Sequence, residues 1–244
     1  MIKLGEVTKS NRVFEGKRLE HTRDIKTGKV HVAGPDIFNK TKSIDISWLP
    51  IAAETYNISK DIRDYVITEI PIVTVDVPNR NLDAFPFEEV SSFNAEVGRL
   101  VYSTFIGKPT FRDHDNRDNR KARGVHFDSS LERVADNLYK IVVLAGWDRT
   151  KDPELVNSIL SGQRNQYSMG ALVGYTMCSY PGCGETSTSG RIACTHHQGG
   201  KGRGKVINGH VIYELCRKCT YIETSVVNDA ADPTAIGRWV ESWK

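Results

Sequence analysis

Asn165-Gln166-Tyr167-Ser168-Met169-Gly170-Ala171 sets a serine hydroxyl between an aromatic residue and a Met-Gly step, at the start of an apolar run. Gly170 lets the backbone approach a neighbour or a substrate closely, which a Cβ would hinder. A serine hydroxyl is a weak nucleophile until a base takes its proton, so the chain must also supply a base and a group to orient it. His114, in Asp113-His114-Asp115-Asn116, is the first candidate, because imidazole accepts and returns a proton near neutral pH. Plainer readings stand beside these: an ordinary serine on a half-buried strand, and a solvated histidine or a metal-binding Asp-His-Asp.

A second chemistry lies in the cysteines. All five follow residue 177, an odd number clustered late in a chain with no signal peptide, which points to metal, or to five free buried thiols, rather than a disulfide framework. Cys178-x4-Cys183-Gly184 followed by Cys194-x2-His197 has spacing close to that of a structural zinc site, four ligands closing a tetrahedron. The insertion over residues 178–205 is too small and Gly-rich for apolar residues to order it, so a metal would supply that energy. Cys216-x2-Cys219 is itself a knuckle spacing and could replace the second pair. The basic run Gly199 to Lys205 reads as a solvated loop. No aromatic residue interrupts it to stack on bases, which disfavours nucleic acid.

These groups need elements to hold them. Val66, Ile67, Ile70, Ile72, Val73, Val75 and Val77 form a β-branched strand interrupted by Pro71. Phe93, Val97, Leu100 and Val101 fall at helical spacing. Val125–Asp128 and Tyr139–Ala145 read as strands, the second apolar enough to be central. Asp152-Pro153 starts a helix with a Leu155, Val156, Ile159, Leu160 stripe, and Gly162 stops it. The serine strand runs from Ser168 to Tyr175. Two more strands follow, Val206–Leu215, broken at Asn208-Gly209, and Tyr221–Val227. The first 66 residues are least informative, with only Ile44–Leu49 strand-like. The sum is a β-rich α+β fold.

Composition narrows the class. An apolar fraction of 39% and a charged fraction of 26% over 244 residues are those of a globular protein of one large domain or one with an appendage. No run is long enough to span a bilayer, and Met1–Glu6 lacks an apolar signal core, so a cytosolic location is expected and no membrane partner. A net charge of +3 does not imply nucleic acid.

Gly107-Lys108-Pro109 with Asp113-His114-Asp115-Asn116 and Ala122-Arg123-Gly124-Val125 resembles the histidine segment of tailed-phage prohead (capsid maturation) proteases. Tyr167-Ser168-Met169-Gly170 is similar to that family's serine segment. Tyr221-Ile222-Glu223-Thr224-Ser225-Val226-Val227, with Ala230-Ala231-Asp232-Pro233 and Ala235, is similar to its closing strand. The three segments occur in order over the last two-thirds of the chain.

The resemblance implies a serine endopeptidase of the herpesvirus-assemblin fold, a small β-barrel surrounded by helices, here with a Cys/His zinc-binding insertion. It implies a protease domain over residues 67–240, with 1–66 an N-terminal extension. Ser168 carries over as nucleophile, His114 as general base and acid, and Glu223 as the group orienting the imidazole, where the herpesvirus enzymes use a second histidine. Glu214 or His210 could fill that third role if the strand register differs. Arginines help place the oxyanion hole in those relatives and Asn228–Asp232 has none, so backbone N–H groups there or near Met169 and Gly170 would serve.

As a prohead protease the chain would act in the host cytoplasm, inside the assembling prohead. Scaffold and major capsid proteins, and the enzyme itself, would be its substrates, and a homo-oligomer is allowed. Two other classes compete: a non-catalytic capsid-assembly or scaffold-like protein, and a zinc-ribbon nucleic-acid module.

Overall fold

In the computed structural model, residues 46–242 are described. The first helix, α1 (Leu49–Tyr56), carries Pro50 in its first turn and ends at Asn57, whose φ is +53°. A proline with φ already set for a helix suits that turn. The strand expected over Ile44–Leu49 therefore gives way, from residue 46, to a turn and a helix start; its first two residues lie outside the described ones.

β1 (Tyr65–Thr74) contains Pro71 beside a register shift against its neighbour. On its other side the closing strand pairs only with Val66–Glu69, so Pro71 lies where no second ladder needs an N–H. After β2 (Asp83–Ala84) and a single turn α2 (Phe87–Val90), the helix expected through Phe93–Val101 does not form. Asn94 Oδ1 accepts the backbone N–H groups of Glu96 and Val97 at 3.0 and 3.3 Å, and Gly98 takes φ +68°. That closes a hairpin of β3 (Phe93–Asn94) and β4 (Arg99–Leu100), followed by a 3-10 turn over Val101–Phe105. Side-chain-to-backbone bonds here outcompete the apolar spacing.

β5 (Pro109–Arg112), β6 (Gly124–Ala135) and β7 (Leu138–Asp148) come next, the last two longer than the strands expected. α3 (Pro153–Leu160) starts and stops as expected: the Asp152 carboxylate accepts the Leu155 N–H at 3.0 Å, and Gly162 turns the chain at φ +73°. β8 (Gln166–Cys178) carries the serine. β9 (Thr186–Ser187) and a hairpin of β10 (Val206–Ile207) and β11 (His210–Val211) lie in or beside the Cys/His excursion. Of the two strands expected near the end, the first breaks at Asn208-Gly209 into the β10–β11 hairpin, and its last residues join the second in one unbroken β12 (Glu214–Val227); a further strand, β13 (Arg238–Ser242), closes the fold.

The main sheet is mixed, in the order β13-β1-β7-β6-β5-β12-β8-β9. β12 runs parallel to β5 and β2, and the other pairs are antiparallel. The strand-rich α+β class is thus observed. β7 is buried on both faces, as its unbroken apolar run requires. Ile141, Val143, Ala145 and Trp147 face one core with Ile70, Tyr167, Tyr221 and Val226; Val142 and Leu144 face a second with Phe127 and α1. Each large side chain so buried contributes roughly 1.5–3 kcal/mol. Leu49, Ala52 and Ala53 belong to the second core, and a boundary at residue 66/67 falls inside β1. The extension from residue 46 onward is therefore packed into the same body. Among the described residues no helix is long and apolar enough to cross a membrane.

Candidate active site and metal centre

Along β8 the side chains of Tyr167, Met169, Ala171 and Val173 pack on the first core. The two-residue period of a strand therefore turns Ser168, Gly170 and Leu172 to the opposite face. β12 would turn Glu223 inward after Cys219 and Tyr221, but the register shifts between Tyr221, opposite Ala171, and Glu223, opposite Gly170. This bulge reverses the facing of the residues beyond it. Glu223 comes over Gly170, Ser225 stands opposite Ser168, and Val226 returns to the core. A Cβ at position 170 would lie 2.6 Å from Glu223 Oε1, so glycine is what lets the carboxylate lie there.

His114 reaches the same face from the other side of β12. β5 pairs with it in parallel, Phe111 opposite Ser225, and the chain then turns through Asp113 and His114 at φ +52° and +56°. Two consecutive non-glycine residues in the left-handed region are strained, a condition that persists only where neighbours over-determine it. They do so here. The Asp113 N–H donates to Val226 O at 3.0 Å, and the His114 N–H to Ser225 Oγ at 3.2 Å. Arg164, from the loop before β8, meets the Asp113 carboxylate at 3.3 Å.

His114 Nδ1 lies 2.9 Å from Glu223 Oε1, and Ser225 Oγ donates to Glu223 Oε2 at 2.7 Å. Glu223 is only 2% exposed in its side chain, His114 41%. The hydrogen bond from Glu223 raises the imidazole pKa above its ordinary 6.5; burial opposes this, and the charges of Glu223 and Asp113 add to it. With Nδ1–H held by Glu223, Nε2 is the nitrogen left to take a proton. Among the described residues no hydrogen bond joins Ser168 Oγ to His114. Glu214 and His210 do not take the third role: Glu214 is at the far end of β12 and His210 packs on Tyr180. Nor is Asp113-His114-Asp115 arranged for metal, since Asp115 is bound by Lys121 at 2.7 Å and Asp113 by Arg164 and Arg112.

Ser225 and the Asp113–Arg164 pair were not singled out from sequence. For Ser225 a signal existed, since Glu223-x-Ser225 on a strand puts both side chains on one face.

The second site gathers Cys178, Cys183, Cys194 and His196, whose ligand atoms lie within 4.8 Å of one another, a group able to hold a metal ion. The expectation of His197 is corrected. Its ring is fully buried, with Nε2 3.2 Å from Tyr213 O, while His196, stacked on Tyr180 at 4.0 Å, brings Nδ1 to 3.3 Å from Cys183 Sγ and 3.9 Å from Cys178 Sγ. Backbone N–H groups of Tyr180 and His197 point at Cys178 and Cys194 sulfurs, each at 3.4 Å, as suits thiolates. Without metal, burial pushes the Cys178 thiol up to about 12. Cys216 and Cys219 stand apart, both in the first core, where burial likewise pushes Cys216 up to about 12.

Comparison of the chain with family models, curated proteins and solved structures finds no match.

Proposed function

We propose that the protein is a serine endopeptidase of the prohead-maturation type, with Ser168 as nucleophile, His114 as general base and acid, and Glu223 as the orienting carboxylate. The observation that carries the reading is the 2.9 Å contact between His114 Nδ1 and a buried Glu223, formed on the sheet face that also presents Ser168. A carboxylate so placed holds the imidazole tautomer with Nε2 free and stabilises the imidazolium formed when Nε2 takes the serine proton. The hydroxyl attacks the peptide carbonyl, His114 returns the proton to the leaving amine, and water releases the acyl group by the reverse sequence. Serine–histidine hydrogen bonds in free enzymes are commonly long and tighten on substrate.

A further support is that β8 between Ser168 and Tyr175 pairs on one side only among the described residues. An extended peptide can add to such an edge. The barrel of the assemblin type, the scaffold and capsid substrates and the site of action inside the prohead belong to the same reading and rest on the resemblance of the three segments. The metal is read as structural zinc: three thiolates and one imidazole are the ligands zinc favours, and four protein ligands leave no open position for catalysis.

The test is co-expression with the cognate scaffold and capsid proteins, followed by mass determination. Wild type should yield cleaved products, and Ser168→Ala none. Processing by Ser168→Ala would refute the nucleophile. No processing by wild type in assembled particles would favour the non-catalytic capsid-assembly reading.

A further inference from the structure

The basic run from Gly199 to Lys205 has no aromatic residue of its own, but the fold brings rings to it from other segments. Tyr180, just after β8, stacks on His196 with ring centroids 4.0 Å apart. His210, from β11, meets the same phenol at 5.7 Å in a T-shaped contact. Asn208, in the turn of the β10–β11 hairpin, donates from Nδ2 to the Tyr180 hydroxyl at 3.0 Å. Three rings thus form one cluster on the Cys/His excursion, and the outermost, His210, is exposed.

The basic run is fastened to that cluster. The N–H groups of Gly200 and Gly202 both donate to His197 O at 2.8 Å, Lys205 N–H donates to Gly202 O at 3.1 Å, and Gly204 N–H to Ile212 O at 2.7 Å. A Cβ at position 202 would lie 1.8 Å from His196 O, so glycine is what lets the run lie against the histidine that carries Tyr180. Ile212 N–H donates in turn to Lys205 O at 2.9 Å, which extends the hairpin by one pair beyond Val206 and Val211. The two-residue period then sets Lys205, Ile207 and His210 on one face.

The cations of the run differ in what they meet. Arg203 is engaged within the protein, by Asp83 at 2.7 Å and by the Asn81 carbonyl. Lys201 and Lys205 are exposed, and among the described residues neither ammonium has an ion pair or a hydrogen bond. Elsewhere Lys60, Lys121 and Lys140 each face a carboxylate. Residues 179–213 hold Arg191, Lys201, Arg203 and Lys205 against Glu185 alone, so no acidic neighbour in the excursion competes for the two lysines.

We propose that this face binds single-stranded nucleic acid, with Lys201 and Lys205 on phosphates and an unpaired base stacked on His210 beside Tyr180. Unpaired bases stack on aromatic and imidazole rings, and cations alongside track the backbone. An acidic peptide would use the lysines and leave the rings without a role, and the bases of a duplex are already stacked on one another. None of Ser168, His114 and Glu223 takes part, so the surface stands or falls apart from the peptidase reading.

The test is fluorescence anisotropy of a labelled oligothymidylate titrated with the full chain over a range of salt concentrations. Lys201→Ala/Lys205→Ala should weaken binding at least ~10-fold at low salt and flatten the plot of log affinity against log salt by about 1.4, two phosphates at ~0.7 each. His210→Ala should weaken binding about fivefold or more and leave that slope unchanged, while His210→Phe, which keeps a ring, should retain the affinity. Lys60→Ala/Lys151→Ala removes the same charge beside α1 and should change neither quantity. Urea midpoints check that each variant is folded. No binding of the oligothymidylate at low salt, or binding untouched in the Lys201/Lys205 variant, overturns the proposal. So does polyglutamate or duplex DNA bound as tightly as the single strand, or a His210→Ala protein that binds like wild type, since either leaves charge alone as the cause.

Discussion

Ser168 and Ser225 stand directly opposite one another across β8 and β12, on the same face of the sheet, and only Ser225 is engaged. Its hydroxyl donates to Glu223 Oε2 at 2.7 Å and accepts the His114 N–H at 3.2 Å, and it is fully buried. Ser168 is half-buried, on the face of β8 turned away from the first core. The two serines therefore differ in what they hold: Ser225 fixes the histidine loop and its carboxylate, and Ser168 is the one proposed as nucleophile.

That difference is testable by comparing the two alanine variants. Ser225→Ala leaves a buried carboxylate and a backbone N–H short of partners, which should cost about 1–3 kcal/mol in urea denaturation. Ser168→Ala should cost less than about 1 kcal/mol and abolish cleavage. A reversed pattern, with Ser225→Ala stable and Ser168→Ala unstable, would exchange the roles.

Gly170 tests the carboxylate from the other strand. The methyl group of Gly170→Ala would come within 2.6 Å of Glu223 Oε1 and 2.9 Å of its Cγ. Relief requires Glu223 to leave His114, since the carboxylate is bonded on both oxygens. Activity should fall, by at most the ~10²–10⁴-fold that a positioned general base supplies, since His114 would remain but lose its orienting carboxylate, with a stability loss of about 1–3 kcal/mol from overpacking. Unchanged kcat/KM in Gly170→Ala would mean that Glu223 is not needed where it stands.

The pH dependence carries two opposite signs. Glu223 raises the His114 pKa, and a general base must be neutral, so the acidic limb of kcat/KM should lie above 6.5 and move to lower pH in Glu223→Gln. A limb that does not move would detach Glu223 from the histidine. For stability, a raised imidazole pKa favours the fold below its unfolded value and loses that contribution as pH rises through the folded one. His126 behaves conversely. It is fully buried, its Nδ1 is 2.9 Å from Lys108 O, and burial lowers its pKa to about 4. Its contribution is present above pH 6.5 and is lost as pH falls toward 4. The exposure of His114 weakens its share, so His126 should dominate and the urea midpoint should fall between about pH 7 and about pH 5.

The metal centre separates two adjacent histidines. His196→Ala and Cys183→Ser should each lower bound zinc well below one per chain, while His197→Ala should keep the metal and lose stability instead. Full zinc in His196→Ala, measured by plasma mass spectrometry, would remove it from the ligand set. Because the ligands sit outside the two cores, chelation should loosen residues 178–205 in hydrogen exchange and leave β7 protected.

Legibility in the sequence depends on which signals are local. The apolar run of β7, the Asp152-Pro153 start and Gly162 stop of α3 and the punctuated β1 could all be read, because each is set by neighbours in the chain. The spacing of the three cysteines pointed to a cluster, but spacing does not say which of two adjacent histidines faces it. His197 is taken away by the Tyr213 carbonyl, a partner sixteen residues on. The apolar spacing of Phe93, Val97 and Leu100 misled because Asn94 bonds its own backbone. Glu223 could be named, but its position over Gly170 depends on a bulge that no residue type announces.

The most direct test of the central claim is to treat the full chain with a fluorophosphonate, which phosphonylates activated serines, and to map the adduct by mass spectrometry. The account predicts a single adduct on Ser168, absent from Ser168→Ala and slowed at least ~100-fold in His114→Ala, where the general base is lost. An adduct on Ser225, labelling undiminished in His114→Ala, or no adduct on wild type taken from assembled particles would contradict it.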